Sequence, residues 1–388
     1  MEERADVDDS RGAGGTARHR PEVRRVTVIG SGLIGTSIAL ALRARDVDVA
    51  LSDPDAASLR LACDLGAGRP LGESEAGPAD VAVIAAPPAV IPAVLRDAQD
   101  RGLAHVYTDA ASVKASVVAG ADRLGCDMAT FVPGHPMGGR EKHGPGAARA
   151  DLFLGRSWAL CPTGKADTAA VAAVAEVARL CGADPLVLDA AAHDRAVALV
   201  SHAPHVASSA VAARLLDADD TALTLAGQGV RDVTRVAGGD PAMWTEILTH
   251  NAVPVAEVLA DMAADLAATA DALRTLGAVP DTSSEAPLAP VRDVLARGRG
   301  GQGRIPGKHG EARRPSYTVV PVVIPDEPGA LGRLFAAAAE AGVNIEDVRI
   351  EHTPGLPLGV CQLYVLPEGE GTLSRALADG GWSVHPGL

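Results

Sequence analysis

Aromatic side chains are scarce: three Trp, three Tyr and three Phe make up only 2% of the 388 residues. The cores must therefore be assembled from Ala, Val, Leu and Ile, through many small contacts. Cysteine is also thinly used. Cys63, Cys126, Cys161, Cys181 and Cys361 are odd in number, far apart and without CxxC spacing. That excludes a disulfide framework and predicts reduced, mostly buried thiols in a cytoplasmic protein. Positive charge is in deficit, with 35 Lys+Arg against 49 Asp+Glu and a net charge of −14. Nucleic acid and anionic membranes would be repelled, so neither is expected as a partner. Cations for an anionic ligand would have to be concentrated locally. The first twenty residues lack an apolar h-region, and no apolar run is expected to span a bilayer. No metal site is expected.

What is present is a globular chain, 47% hydrophobic, long enough for two or three domains. Residues 1–22 are polar and Gly-rich and read as a disordered tail. From residue 23 to 189 short β-branched runs alternate with helical spacing: RVTVIG (25–30), LIGTSIALALRAR (33–45), VDVALSDP (47–54), DVAVIAAPP (80–88), HVYTDAAS (105–112) and MATFVPGHP (128–136). Such alternation predicts a Rossmann-type, doubly wound parallel sheet. RSWALCP (156–162) and DPLVLDA (184–190) are expected to extend it. Residues 190–280 are Ala-, Leu- and Val-rich with helical spacing and predict an all-α domain, suited to completing its core against a second copy as a homodimer. Residues 281–316, rich in Gly, Pro, Ser and Arg, read as a linker, in which IPGKHG (305–310) has no derivable chemistry. Residues 317–388 predict a small α+β unit.

Gly30-Ser31-Gly32-Leu33-Ile34-Gly35 is G-x-G-x-x-G placed between a strand and a helix, the context of a dinucleotide-binding turn. Asp53 ends the next strand, where an acid accepts the adenosine ribose hydroxyls and repels a 2′-phosphate, so NAD is favoured over NADP. The alternative is a glycine turn that binds nothing. Two polar segments fall beyond the carboxyl ends of strands: Asp109-Ala110-Ala111-Ser112-Val113-Lys114 and GHPMGGREKHG (134–144). The second, with four glycines, is expected to be a loop bending sharply beside the cofactor. His135 in it is a candidate base, since imidazole can take a hydroxyl proton near neutral pH; otherwise it only hydrogen-bonds the loop. Ser112 either assists His135 or caps a helix. A third cluster comprises Ser201-His202-Ala203-Pro204-His205, the pair Arg231 and Arg235, and Met243-Trp244. The two arginines, four apart, would share a helix face and suit a ligand with two carboxylates, or else form a solvated basic face with Asp232.

GSGLIG, DAASVK, GHPMGGREKHG, SHAPH and GVRDVTRVA, in this order, resemble the prephenate/arogenate dehydrogenase family of tyrosine biosynthesis over roughly residues 25–280. The segment VVPVVIPDEPGALGRLFAAAAEAGVNIEDVRIEH resembles an ACT domain, an amino-acid-sensing module of ferredoxin-like fold. The resemblance implies NAD-dependent oxidative decarboxylation of prephenate to 4-hydroxyphenylpyruvate, or of arogenate to tyrosine. It implies that His135 takes the C4 hydroxyl proton and that Ser112 orients hydroxyl, histidine and nicotinamide. Arg235 would hold a substrate carboxylate, with Arg231 and His205 near the side chain and Ser201 lining the nicotinamide pocket. Glu141, Asp232 and Trp244 would gate or shape the pocket. Cations at Arg231 and His205 would sit poorly beside the ammonium of arogenate, which favours prephenate. The ACT resemblance implies an L-tyrosine effector near Asp326, Gly329, Asn344 and Ile345. Two other readings are a β-hydroxyacid dehydrogenase, disfavoured because residues 190–273 contain no lysine base, and an inactive amino-acid sensor.

Overall fold

The computed structural model describes residues 23–72, 77–138, 143–278, 288–305, 317–352 and 357–386. The tail at 1–22, Glu141 and nearly all of IPGKHG lie outside them. The chain divides into two compact units: one runs to residue 225 and includes 231–260, and the other takes 226–230 and 261–388.

The first unit opens as β1 (Arg25–Ile29), α1 (Leu33–Arg43), β2 (Asp48–Ser52), α2 (Ala56–Asp64), β3 (Arg69–Pro70), β4 (Ala79–Ile84), α3 (Ile91–Asp100), β5 (Ala104–Asp109), α4 (Ala115–Arg123) and β6 (Phe131–Val132). These strands form one parallel sheet in the order β3-β2-β1-β4-β5-β6. Its two faces carry separate cores. One joins Val26, Val28, Ile38 and Val174; the other joins Ile84, Ile91, Leu95 and Phe131. The sheet is doubly wound, as the alternation predicts, and its order reverses between β1 and β4. A crevice opens there beyond the strand ends.

The continuation differs from expectation. After β6 the chain passes through Pro133 into β7 (Gly134–Pro136), which pairs antiparallel with β8 (Ser157–Leu160). Beyond α5 (Thr168–Leu180), β9 (Asp184–Val187) pairs parallel with β8. The segments expected to extend the main sheet thus form a separate three-stranded sheet, β7-β8-β9. The break comes at β7: His135 lies in a short strand inside the run expected as a strand at 128–136, and the expected loop follows it, with residues 139–142 outside the described ones. Of the segment's described glycines, Gly134 serves close packing, whereas Gly144 has φ +76 and open space, as a bend requires. A Cβ on Gly134 would stand 2.8 Å from Asp109 O and Thr108 Oγ1.

The helical part of this unit comprises α6 (Ala190–Val197), a π turn (Ala198–His202), α7 (Ala203–Ala213), α8 (Asp220–Thr224), the end of α9 (Gln228–Thr234) from Arg231 on, a 3₁₀ turn (Arg235–Gly238), α10 (Pro241–His250) and the start of α11 (Ala252–Ala278). Against the expectation that no run could span a bilayer, Ala190–Ala213 is long and apolar enough by composition. It nevertheless carries His193, Asp194, His202 and His205, all buried. His193 and Asp194 hydrogen-bond across to residues of the nucleotide-binding layer, as a core helix does. Arg231 lies in α9, which ends at Thr234, and Arg235 begins the 3₁₀ turn that follows directly.

In the second unit, α12 (Ala289–Gln302) lies inside the stretch read as linker. Its APVRDVLAR half has helical spacing with Pro in the first turn, and Arg297 pairs with Asp293 and Asp265, both at 2.7 Å. Then follow β10 (Thr318–Pro325), α13 (Ala330–Glu340), β11 (Asp347–His352), β12 (Leu358–Val365), α14 (Pro367–Asp379) and β13 (Ser383–Val384). The sheet is antiparallel in the order β11-β12-β10-β13, the split βαββαβ arrangement. The strict in-out alternation of β12 covers a core of Val320, Val322, Leu334, Leu363 and Leu373.

Candidate active site

At the crevice, Gly30 has φ +109, and a Cβ there would meet Ala85 O at 2.2 Å. A Cβ on Gly35 would lie 1.9 Å from Gly30 O, so α1 can approach the turn only without a side chain at that position. Gly32 has open space where its Cβ would point, leaving backbone for a phosphate beside the amino end of α1. The side chain of Asp53 accepts hydrogen bonds from the amides of Ser31 and Asp55, which sets its carboxylate against the glycine turn. The Ser31 hydroxyl is buried with no hydrogen-bond partner. An orphaned polar group in an open glycine cradle fits a dinucleotide. A cavity of about 440 Å³ lies at the opposite, amino-terminal edge of the sheet, lined by Arg25, Asp48, Arg69 and Arg101. Doubly wound sheets bind ligands at the other edge, so this cavity is left out of the site.

β5 and β7 bring the second element of the site together. Lys114 and Asp109 are both fully buried and form an ion pair, and Lys114 Nζ also donates to Gly134 O. Burial pushes the Asp109 carboxyl above its usual range, with Lys114 opposing that shift. Asp109 also accepts the Ala111 amide at 2.9 Å. The pair ties the Ser112 segment to the strand that carries His135. Ser112 is half-buried on this segment, but it does not cap α4. The amides of Lys114 and Ala115 instead donate to the Asp194 carboxylate, both at 2.8 Å.

His135 is half-buried, and its Nδ1 lies 2.9 Å from His193 Nε2. His193 Nδ1 lies 2.8 Å from Asp194 Oδ1. Burial, with His193, Lys114 and His202 nearby, holds the His135 imidazole well below its ordinary pKa, so it is neutral at neutral pH. Burial likewise lowers His202 to about 4. Asn251 Nδ2 is 3.0 Å from His202 Nδ1 and donates to Asp194 O at 2.8 Å, so one amide braces the π turn from α10's end. π turns recur at functional sites because they shift side chains off the regular helical face.

The third cluster also assembles. His205 stacks on Trp244 with ring centroids 3.6 Å apart. A Cβ on Gly239 would touch both rings. Ser208 Oγ donates to Val233 O at 2.7 Å, drawing the Arg231–Arg235 segment onto α7. Burial lowers the His205 pKa, so its expected cationic role does not hold at neutral pH. Ser201 sits half-buried in the π turn, while Arg231 and Arg235 are exposed. Asp326 and Gly329 line a cavity of about 190 Å³ in the second unit, together with Ile324 and Ile350. Asn344 and Ile345 do not: Asn344 hydrogen-bonds Glu346, and Ile345 packs on the sheet core.

Sequence reasoning assigned no role to His193, Asp194, His202, Asn251 or the Lys114–Asp109 pair. An adjacent His-Asp in an otherwise Ala-rich helix start was the available signal.

Two family descriptions match the chain: the prephenate dehydrogenase nucleotide-binding domain over residues 38–187 and the prephenate dehydrogenase dimerization domain over 189–279. The first match begins beyond the glycine turn. A probable prephenate dehydrogenase, NovF of Streptomyces niveus, is 41% identical over 364 residues, 94% of this chain and 100% of that protein. The solved arogenate dehydrogenase of Synechocystis is 26% identical with a TM-score of 0.57, covering 72% of this chain and 98% of that one. The prephenate dehydrogenase of Aquifex aeolicus, solved with hydroxyphenyl propionate and NAD+, shares the fold at 24% identity and a TM-score of 0.61, covering 71% and 98%.

Proposed function

The chain belongs to the prephenate dehydrogenase family, and on that footing we propose that it catalyses the NAD-dependent oxidative decarboxylation of prephenate to 4-hydroxyphenylpyruvate. The observation that carries this reading is His135: a neutral imidazole, kept so by burial and the nearby Lys114, at the carboxyl end of a dinucleotide-binding sheet. NAD, when bound, supplies the acceptor for the hydride that leaves C4. His135 takes the C4 hydroxyl proton as that oxygen gains carbonyl character, and returns it once the C1–carboxylate bond has broken and the ring is aromatic. Aromatisation drives the loss of CO₂, so the protein's task is orientation. Ser112, held by the Lys114–Asp109 pair, orients hydroxyl and imidazole. Arg235 holds a substrate carboxylate, and the His205–Trp244 stack, with Ser201 and Arg231, shapes the side-chain end; Glu141 and Asp232 gate it.

Arogenate dehydrogenation is the alternative, favoured by the neutral state of His205, which removes one cation that would have repelled an ammonium. NADH formation from NAD with each substrate decides. Turnover of prephenate is expected, and turnover of arogenate alone would refute the proposal.

The helices of 190–280 pair two chains into a homodimer; Leu199, Val200 and Val253, each more than half exposed, supply apolar surface for it. Residues 317–388 act as an ACT-type sensor for L-tyrosine, supported by the βαββαβ order and the cavity beside Asp326 and Gly329. Added tyrosine should raise the melting temperature and lower the rate. The enzyme works in the cytoplasm, in keeping with five free cysteines.

A further inference from the structure

We propose that His193 and Asp194 are positioning residues that fix the tautomer of His135 and stabilise the positive charge it acquires. The inference rests on the dehydrogenase reading and deepens it. Asp194 accepts two backbone N–H groups, from Lys114 and Ala115 at 2.8 Å each, and so presents only acceptor oxygens to His193. Its neighbour must then donate: His193 carries its proton on Nδ1, 2.8 Å from Asp194 Oδ1. A neutral His193 with Nδ1 protonated has a bare Nε2, and that atom can only accept. His135 therefore donates through Nδ1 across the 2.9 Å contact, which leaves the His135 Nε2 lone pair as the one able to take a proton.

The same arrangement answers an electrostatic difficulty. Burial and the Lys114 ammonium both oppose a cation at His135. Of the charged groups that face this cluster, Asp109 is engaged by Lys114 and Asp194 is reached only through the His193 ring. When His135 Nε2 takes the hydroxyl proton, its Nδ1–H is already committed to His193, and positive charge can spread along the two rings toward the Asp194 carboxylate. Because Asp194 also holds the first amides of α4, one carboxylate sets both the base and the segment that bears Ser112.

His193 is the discriminating position. In His193→Gln the amide NH₂ can donate to Asp194 Oδ1 while the amide oxygen accepts from His135 Nδ1, which keeps the tautomer of His135; His193→Phe releases His135 to either tautomer. The expected result for His193→Phe is a kcat about tenfold or more down with KM for prephenate and NAD within about threefold, and His193→Gln should recover most of that loss. Equal kcat in the two variants, or loss confined to KM or melting temperature, would overturn the proposal. Should His193→Phe not fold, Asp194→Asn against Asp194→Ala decides: Oδ1 serves both Lys114 N and His193 Nδ1, and an amide oxygen kept there still accepts from both, so Asn must retain more kcat, and equal values overturn the idea. A wild-type protein that forms no NADH with either substrate fails the underlying dehydrogenase reading instead.

Discussion

His135 was legible because a histidine among glycines after a strand has few structural uses, and Asp53 because its distance from the glycine turn is a fixed property of the βαβ unit. The groups around His135 were not legible. Burial of Lys114, Asp109 and Asn251 is a tertiary property, and nothing in their local sequence separates them from surface polar residues. Their burial has a consequence for pH. His202, 1% exposed, has its pKa lowered to about 4 from the free value of 6.5. Below pH 6.5 the unfolded chain gains a proton there that the folded chain refuses, so folding stability falls as pH drops toward 4. The loss at this residue alone amounts to roughly 3 kcal/mol. Urea midpoints across this window should decline for the wild type and decline less for His202→Phe; parallel slopes would contradict the assignment. Since the His135 pKa is also lowered, the acid limb of kcat/KM should lie below pH 6.5.

At the scale of elements, the parallel sheet followed from alternating periods, while its strand order is known only from the structure. The departure came after β6, where β7 leaves the main sheet and pairs antiparallel with β8. Glycine in such a place can serve a bend or a close approach: flexibility and the absence of a Cβ look the same in a sequence. The glycine turn separates the two uses. With a Cβ at Gly35 placed 1.9 Å from Gly30 O, Gly35→Ala must displace α1 from the sheet. The expected outcome is a KM for NAD raised at least about tenfold and a melting temperature lower by several degrees. Unchanged NAD affinity would mean that the turn does not hold the pyrophosphate. The helix α12 was missed because its Gly-rich second half masked a first half with good helical spacing.

For the whole molecule, the sequence showed a small-residue helical region and an acidic surface, and both bear on assembly. Val200 and Val253 are 66% and 71% exposed, apolar surface that a second copy of the chain would cover. Light scattering should give twice the chain mass, and the double substitution Val200→Glu, Val253→Glu should give the chain mass itself with the near-native far-UV signal kept. A wild-type monomer would remove the homodimer from the account. The C-terminal unit was legible as a small α+β fold, but its strand order and its last strand, β13, were not. Its expected ligand contacts were legible only in part, with Asp326 and Gly329 at a cavity and Asn344 turned to Glu346.

The central claim is that the His135 imidazole accepts the proton of the substrate's ring hydroxyl. Single-turnover NADH formation in wild type and His135→Asn, with prephenate Kd measured on the same samples, tests it most directly. The account predicts a rate lower by about 10²–10⁴ with Kd changed by less than about threefold. Comparable rates in the two proteins would contradict it.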